Sequence, residues 1–149
     1  MGTYYAISPV SEETLPLLES AGLSDLEGDS RFPLLSEIRE ILGGLEGCSY
    51  KSSPVIVGRS WDAQITCRSA SGGAEMNSRL TILELAPETE AQEFYFAEGC
   101  PELIFRILCG LSSLCGILVL FTDGMDAFPI RPNSDSEALR LKWLGQNSA

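Results

Sequence analysis

Trp61-Asp62-Ala63-Gln64-Ile65-Thr66-Cys67-Arg68 alternates without a break. Trp61, Ala63, Ile65 and Cys67 fall on one side and Asp62, Gln64, Thr66 and Arg68 on the other, the pattern of a strand with one face on a core and one in water. Working outward, Pro54 to Gly58 carries Val55-Ile56-Val57 and reads as a neighbouring strand. Downstream, Ser71-Gly72-Gly73 marks a turn, and Arg79 to Ala86 is apolar on both faces, as in a central strand, until Pro87 stops it. Glu93 to Ala97 places Phe94 and Phe96 on a shared face. Strands this closely spaced, joined by turn residues, predict an antiparallel meander.

Helices flank this block. Phe32 to Leu45 places Leu34, Leu35, Ile38, Ile41, Leu42 and Leu45 on one stripe, with Pro33 in its first turn and Gly43-Gly44 at its end. Pro101 to Cys115 is apolar except for Glu102, Arg106 and Ser113, which predicts a largely buried helix stopped by Gly116. Ile117 to Phe121 reads as a buried strand, Thr122 to Asp126 as a turn, and Ala127 to Ile130 as an edge strand because it contains Pro129. Ser134-Asp135-Ser136-Glu137 is a capping box opening a last helix to about Leu144, with a loose tail after about residue 145. At the other end, Thr3 to Ile7 reads as a strand closed by Ser8-Pro9, and Thr14 to Ala21 as a short helix. The predicted order is β-α-α-β-β-β-β-α-β-β-α: a single α+β domain over 1–149, its mostly antiparallel sheet of six or seven strands carrying helices packed on it.

Composition narrows the chemistry. The 149 residues hold 21 Asp and Glu against 10 Lys and Arg, a net charge of −11, and no histidine. Without imidazole, Ser-His-Asp and Cys-His mechanisms and imidazole-based zinc sites are excluded, and no cofactor or metal is expected. So acidic a chain repels nucleic acid and anionic membranes and favours a basic protein partner. Cys48, Cys67, Cys100, Cys109 and Cys115 form no CxxC pair. Odd in number, they predict buried free thiols in a reducing compartment. The first basic residue is Arg31, Ala6 breaks the myristoylation pattern after Met1-Gly2, and Ile117 to Phe121 is too short to span a bilayer, so the expected location is cytoplasmic.

The charge is concentrated. Residues 1–50 carry −7 and residues 84–102 carry −6, whereas 51–83 carry +2 and 103–149 balance. Asp25, Glu27 and Asp29 alternate in a loop flanked by Leu23, Leu26 and Phe32. An EF-hand register fails there, since Ser30 replaces the turn glycine and Ser36 the twelfth-position Glu, leaving an acidic contact loop as the reading. Glu88, Glu90 and Glu93, with Tyr95 on the face opposite Phe94 and Phe96, form the second candidate binding segment.

Three functions follow from these residues. The first is a non-enzymatic protein-binding module of the bacterial immunity or antitoxin type, a monomer or homodimer that inhibits a basic partner. The second rests on element order: from Phe32 onward the chain is similar to the α-β-β-β-α-β-β-α order of small acidic type III export chaperones, departing from it by a fourth strand and an extra N-terminal β-α unit. That resemblance implies a dimer binding an extended segment. The third is an enzyme working through Asp123 with Asp126 or Glu84, or through Cys100 at a helix N-terminus where the dipole favours a thiolate.

Overall fold

The computed structural model describes residues 5–20, 22–23, 29–68, 75–122, 127–132 and 138–139. The alternation in 61–68 becomes strand β3 (Trp61–Arg68), whose odd-numbered side chains are buried and whose even-numbered ones are not. Around it run β1 (Tyr5–Pro9), α1 (Leu15–Ser20), α2 (Leu35–Gly44), β2 (Cys48–Ser52), β4 (Glu75–Ile82), β5 (Tyr95–Gly99), α3 (Pro101–Cys115), β6 (Leu118–Phe121) and β7 (Ala127–Ile130). All neighbouring strands are antiparallel, in the order β2-β3-β4-β5-β1-β6-β7. The fold is α+β, and its elements follow the predicted order through β7.

One face of the sheet is covered by α2 and α3. Ile65, Leu80, Phe96, Leu120 and Phe128 pack there against Ile38, Leu42, Phe105 and Leu108. The two helices approach closely because Gly110 of α3 faces Ile41; a Cβ at Gly110 would stand 2.9 Å from Ile41 Cγ2. Among the described residues the opposite face is covered at one end only, where Leu18 of α1 meets Val10 and Val119.

Several boundaries move. Val55, Ile56 and Val57 form no strand and are exposed in the β2–β3 connection. Their β-propensity yields to register: Cys48 to Ser52 pairs residue for residue with Cys67 to Ala63, leaving 53–60 to close the hairpin with Gly58 at φ +87°. β4 begins at Glu75 and ends at Ile82 rather than running from Arg79 to Ala86, because Leu85 turns away to bond the backbone of 58–59. Ser8-Pro9 does not end β1: both residues pair with β6, and a proline at the last strand position removes a donor no longer needed. The helix predicted from Phe32 starts at Leu35, and the one predicted over 101–115 keeps its bounds, with Gly116 as C-cap at φ +92°. The turn at 71–73, Asp123 and Asp126, the capping box at 134–137 and the tail after 145 lie outside the described residues.

The expectation of five free thiols is also corrected. Cys48 and Cys67 are bonded to each other, their Cα atoms 4.1 Å apart, and Cys100, Cys109 and Cys115 are not disulfide-bonded. Only the β2–β3 register places the two opposite one another, and a strand drawn at 54–58 hides it. Burial pushes the Cys115 thiol up to about 11, so it is neutral at physiological pH.

Candidate functional site

A cleft of about 690 Å³ opens at the end of the sheet where α1 no longer covers it. Its floor follows from register: Ala6 of β1 stands beside Tyr95 of β5, and Tyr95 beside Thr81 of β4. Leu83 to Pro87, with Glu90 and Glu93, makes one wall, and Val57 and Gly58 make the other. Backbone bonds fasten the walls together, Gly58 N–H to Leu85 O and Leu85 N–H to Arg59 O, both 2.8 Å. Leu85 is buried and anchors the seam, whereas Leu83 and Val57 are 71% and 55% exposed.

The acidic loop is held from inside by Gln92, which is fully buried. Its side-chain oxygen accepts from Ala86 N–H at 2.9 Å, and its amide nitrogen donates to Ala86 O at 2.9 Å and Pro87 O at 3.3 Å. Its backbone N–H donates to Pro33 O at 2.8 Å, and Ala91 bridges Leu34. Phe32 meets Phe94 edge-on at 6.1 Å. Residues 86–92 therefore form a fixed loop whose carboxylates project outward.

Three carboxylates, Glu84, Glu90 and Glu93, line the cleft, and no Lys or Arg is among its described lining residues. With Leu83, Val57 and Tyr95 beside them, the surface pairs exposed apolar area with concentrated negative charge. A cationic group with an adjoining apolar side chain satisfies both.

The predicted binding residues separate. Glu90, Glu93 and Tyr95 come together in the cleft, Tyr95 half-buried rather than fully exposed. Glu88 is exposed on the same loop without lining the cleft. Asp29 lies elsewhere: neighbouring Ser30 accepts from Val10 N–H at 2.6 Å and donates to Ile117 O at 2.5 Å. That is the far end of β1 from Ala6, about 13 Å along the strand. Asp25 and Glu27 lie outside the described residues. The acidic segments do meet through Pro33-Leu34 and Ala91-Gln92, but Glu37, the acid of the first segment nearest that seam in sequence, is already paired with Arg31 at 2.6 Å.

Sequence reasoning missed Leu83, Val57 and Gln92, and named Glu84 only as a possible acid. A signal existed for Leu83, the apolar residue just past β4 that continues the polar series Glu75, Asn77, Arg79 and Thr81; none existed for Gln92. Cys100, the thiol candidate, caps α3 half-buried, and its N–H donates to Asn77 O at 3.0 Å. Among the described residues, no group of three or more His, Cys, Asp or Glu side chains could hold a metal, and no helix is long and apolar enough to cross a membrane. No family model, curated protein or solved structure matches the chain, and the cleft must be understood from its own geometry.

Proposed function

We propose that the protein is a non-enzymatic binding module that captures a basic partner protein in the cleft beside β5. Glu84, Glu90 and Glu93 receive Lys or Arg side chains, while Leu83, Val57 and Tyr95 receive an adjoining apolar residue. The observation supporting this is the pairing, in one cleft, of three carboxylates with exposed apolar side chains and no described cation. The rigid loop held by Gln92 supports it further, since a preformed surface loses little entropy on binding. A net charge of −11 speeds encounter with a cationic partner and disfavours nucleic acid. An inhibitor of the immunity or antitoxin type, acting in the cytoplasm on a basic protein, is the version of this function that fits the charge.

Affinity capture from lysate of the source organism, at low and at high salt, tests the proposal. The expected result is a basic protein held at low salt, released at high salt, and not held by a variant carrying Glu84→Gln, Glu90→Gln and Glu93→Gln. Capture that survives in the triple variant, or the absence of any salt-sensitive basic protein, overturns it.

A further inference from the structure

Cys48 begins the edge strand β2, and Cys67 stands directly opposite it in β3. The Cys48 N–H donates to Leu45 O at 3.2 Å and the Arg68 N–H to Gly47 O at 3.4 Å, so the two cysteines exchange no ladder bond. They are a non-hydrogen-bonded pair, the arrangement that brings opposed side chains closest. The two sulfurs have different surroundings. Cys67 is 1% exposed in the core, whereas Cys48 is half-buried at the surface. Arg106 of α3 holds Nη1 at 3.9 Å from Cys48 Sγ while its Nη2 donates to Glu46 O at 3.2 Å. A fixed positive charge therefore sits beside the outer sulfur, where it favours a thiolate. The three other cysteines form no disulfide, the pattern of a protein whose thiols survive where it works.

We propose that Cys48–Cys67 is a reversible thiol–disulfide exchange site for a dithiol reductant and its disulfide form, with Cys48 as the exchanging sulfur and Cys67 as the resolving one. In reduction, a thiolate of the dithiol attacks Cys48 Sγ, the only one of the two within reach of solvent. The Cys48–Cys67 bond breaks with its electron pair on Cys67, which takes the proton given up by the second thiol of the reductant. That second sulfur then attacks the one bound to Cys48, closing the reductant's own disulfide and releasing Cys48 as a thiolate beside Arg106. Two electrons pass from the dithiol to the pair, and oxidation runs the same steps in reverse. The consequence is local: reduction unpins the start of β2 and the 45–47 turn, while four further register pairs keep β2 on β3.

The native protein, equilibrated in a graded series of reduced and oxidised glutathione and quenched with iodoacetamide, tests this by mass. The expected result is a bond that passes from mostly closed to mostly open within the series while circular dichroism stays native. Cys67→Ala should trap a glutathione adduct on Cys48, and Cys48→Ala should trap none on Cys67. In the reduced protein, Arg106→Gln should slow alkylation of Cys48 about tenfold, the effect of raising a thiol pKa by one unit. A bond that opens only on unfolding, one that never forms in the native protein, or a Cys48 rate indifferent to Arg106→Gln overturns the proposal.

Discussion

On one side of β3, Trp61, Ala63 and Ile65 are wholly shielded from water; one residue away in each case, Asp62, Gln64 and Thr66 are partly or largely exposed. The same backbone thus serves two surfaces. The covered face is roofed by α2 and α3 and is mostly apolar, from Ile65 to Phe128, with Ser78 buried opposite Ile65. The open face is knitted by polar contacts between strands: Thr81 Oγ1 donates to Asp62 Oδ1 at 2.8 Å, and Thr66 Oγ1 lies 3.1 Å from Asn77 Oδ1. Among the described residues, only α1 covers the open face, near Val10 and Val119. The cleft lies beyond that cover, with Tyr95 and Ala6 as its floor. Burial of one face frees much of the other for recognition, because stability depends far less on the open side chains than on the buried ones.

That division is tested most severely by Phe105. It is buried in α3 and meets Phe128 edge-on at 6.2 Å, joining helix to sheet. Phe105→Ala should destabilise the fold by about 3–5 kcal/mol, through lost burial and the cavity left behind. Gln64→Ala on the open face should change stability by no more than about 0.5 kcal/mol. Urea unfolding of the two variants measures the contrast. Equal losses would mean that the open face is as structural as the covered one.

The sequence announced the covered face better than the open one. β3, α3 and β7 were legible to the residue because each carries an unambiguous period or stop: alternation in 61–68, a continuous apolar helix between Pro101 and Gly116, and Pro129 at an edge. β2 was not, because Cys48 to Ser52 has no apolar pattern and owes its place to register with β3. Glu90, Glu93 and Tyr95 could be named from local charge and alternation. Their union with Glu84, Leu83 and Val57 depends on contacts far apart in sequence, chiefly Gly58 with Leu85 and Pro33 with Gln92. Asp29 was named from the acidity of its loop and the apolar residues flanking it, and neither says at which end of β1 a residue stands.

Glu37 sharpens the comparison at the rim of the covered face. Its carboxylate takes both Arg31 guanidinium nitrogens, at 2.6 and 2.9 Å, and accepts the Leu34 N–H at 2.8 Å, capping α2. The hydrogen bonds from Arg31 hold its pKa below the usual carboxylate value. A depressed folded-state pKa adds stability above the unfolded value, and that stability is lost as pH falls through the folded one. Arg31 is half in water, so the ion pair is partly screened and the cap supplies much of the effect. Glu37→Gln should therefore cost about 1 kcal/mol at neutral pH. The gap from the native protein should narrow as pH drops below about 4. Thermal melts across pH measure it, and a gap unchanged from neutral to acid would assign the effect to packing alone.

A small net effect, left by two opposing terms, is expected on the covered face itself. Trp61 is wholly buried, and its indole nitrogen is a buried side-chain polar atom without a hydrogen-bond partner among the described residues. A buried donor left unmet carries a desolvation penalty of about 1–3 kcal/mol. Trp61→Phe removes that donor along with part of the ring, so lost packing and relieved desolvation oppose each other. The net change should stay within about 1 kcal/mol, whereas Trp61→Ala, which relieves the same donor but empties the site, should cost about 3–5 kcal/mol. Urea midpoints of the two variants separate these terms. A loss in Trp61→Phe close to that of Trp61→Ala would mean that the indole N–H is satisfied by a buried water, and that the covered face is less dry than its side chains make it.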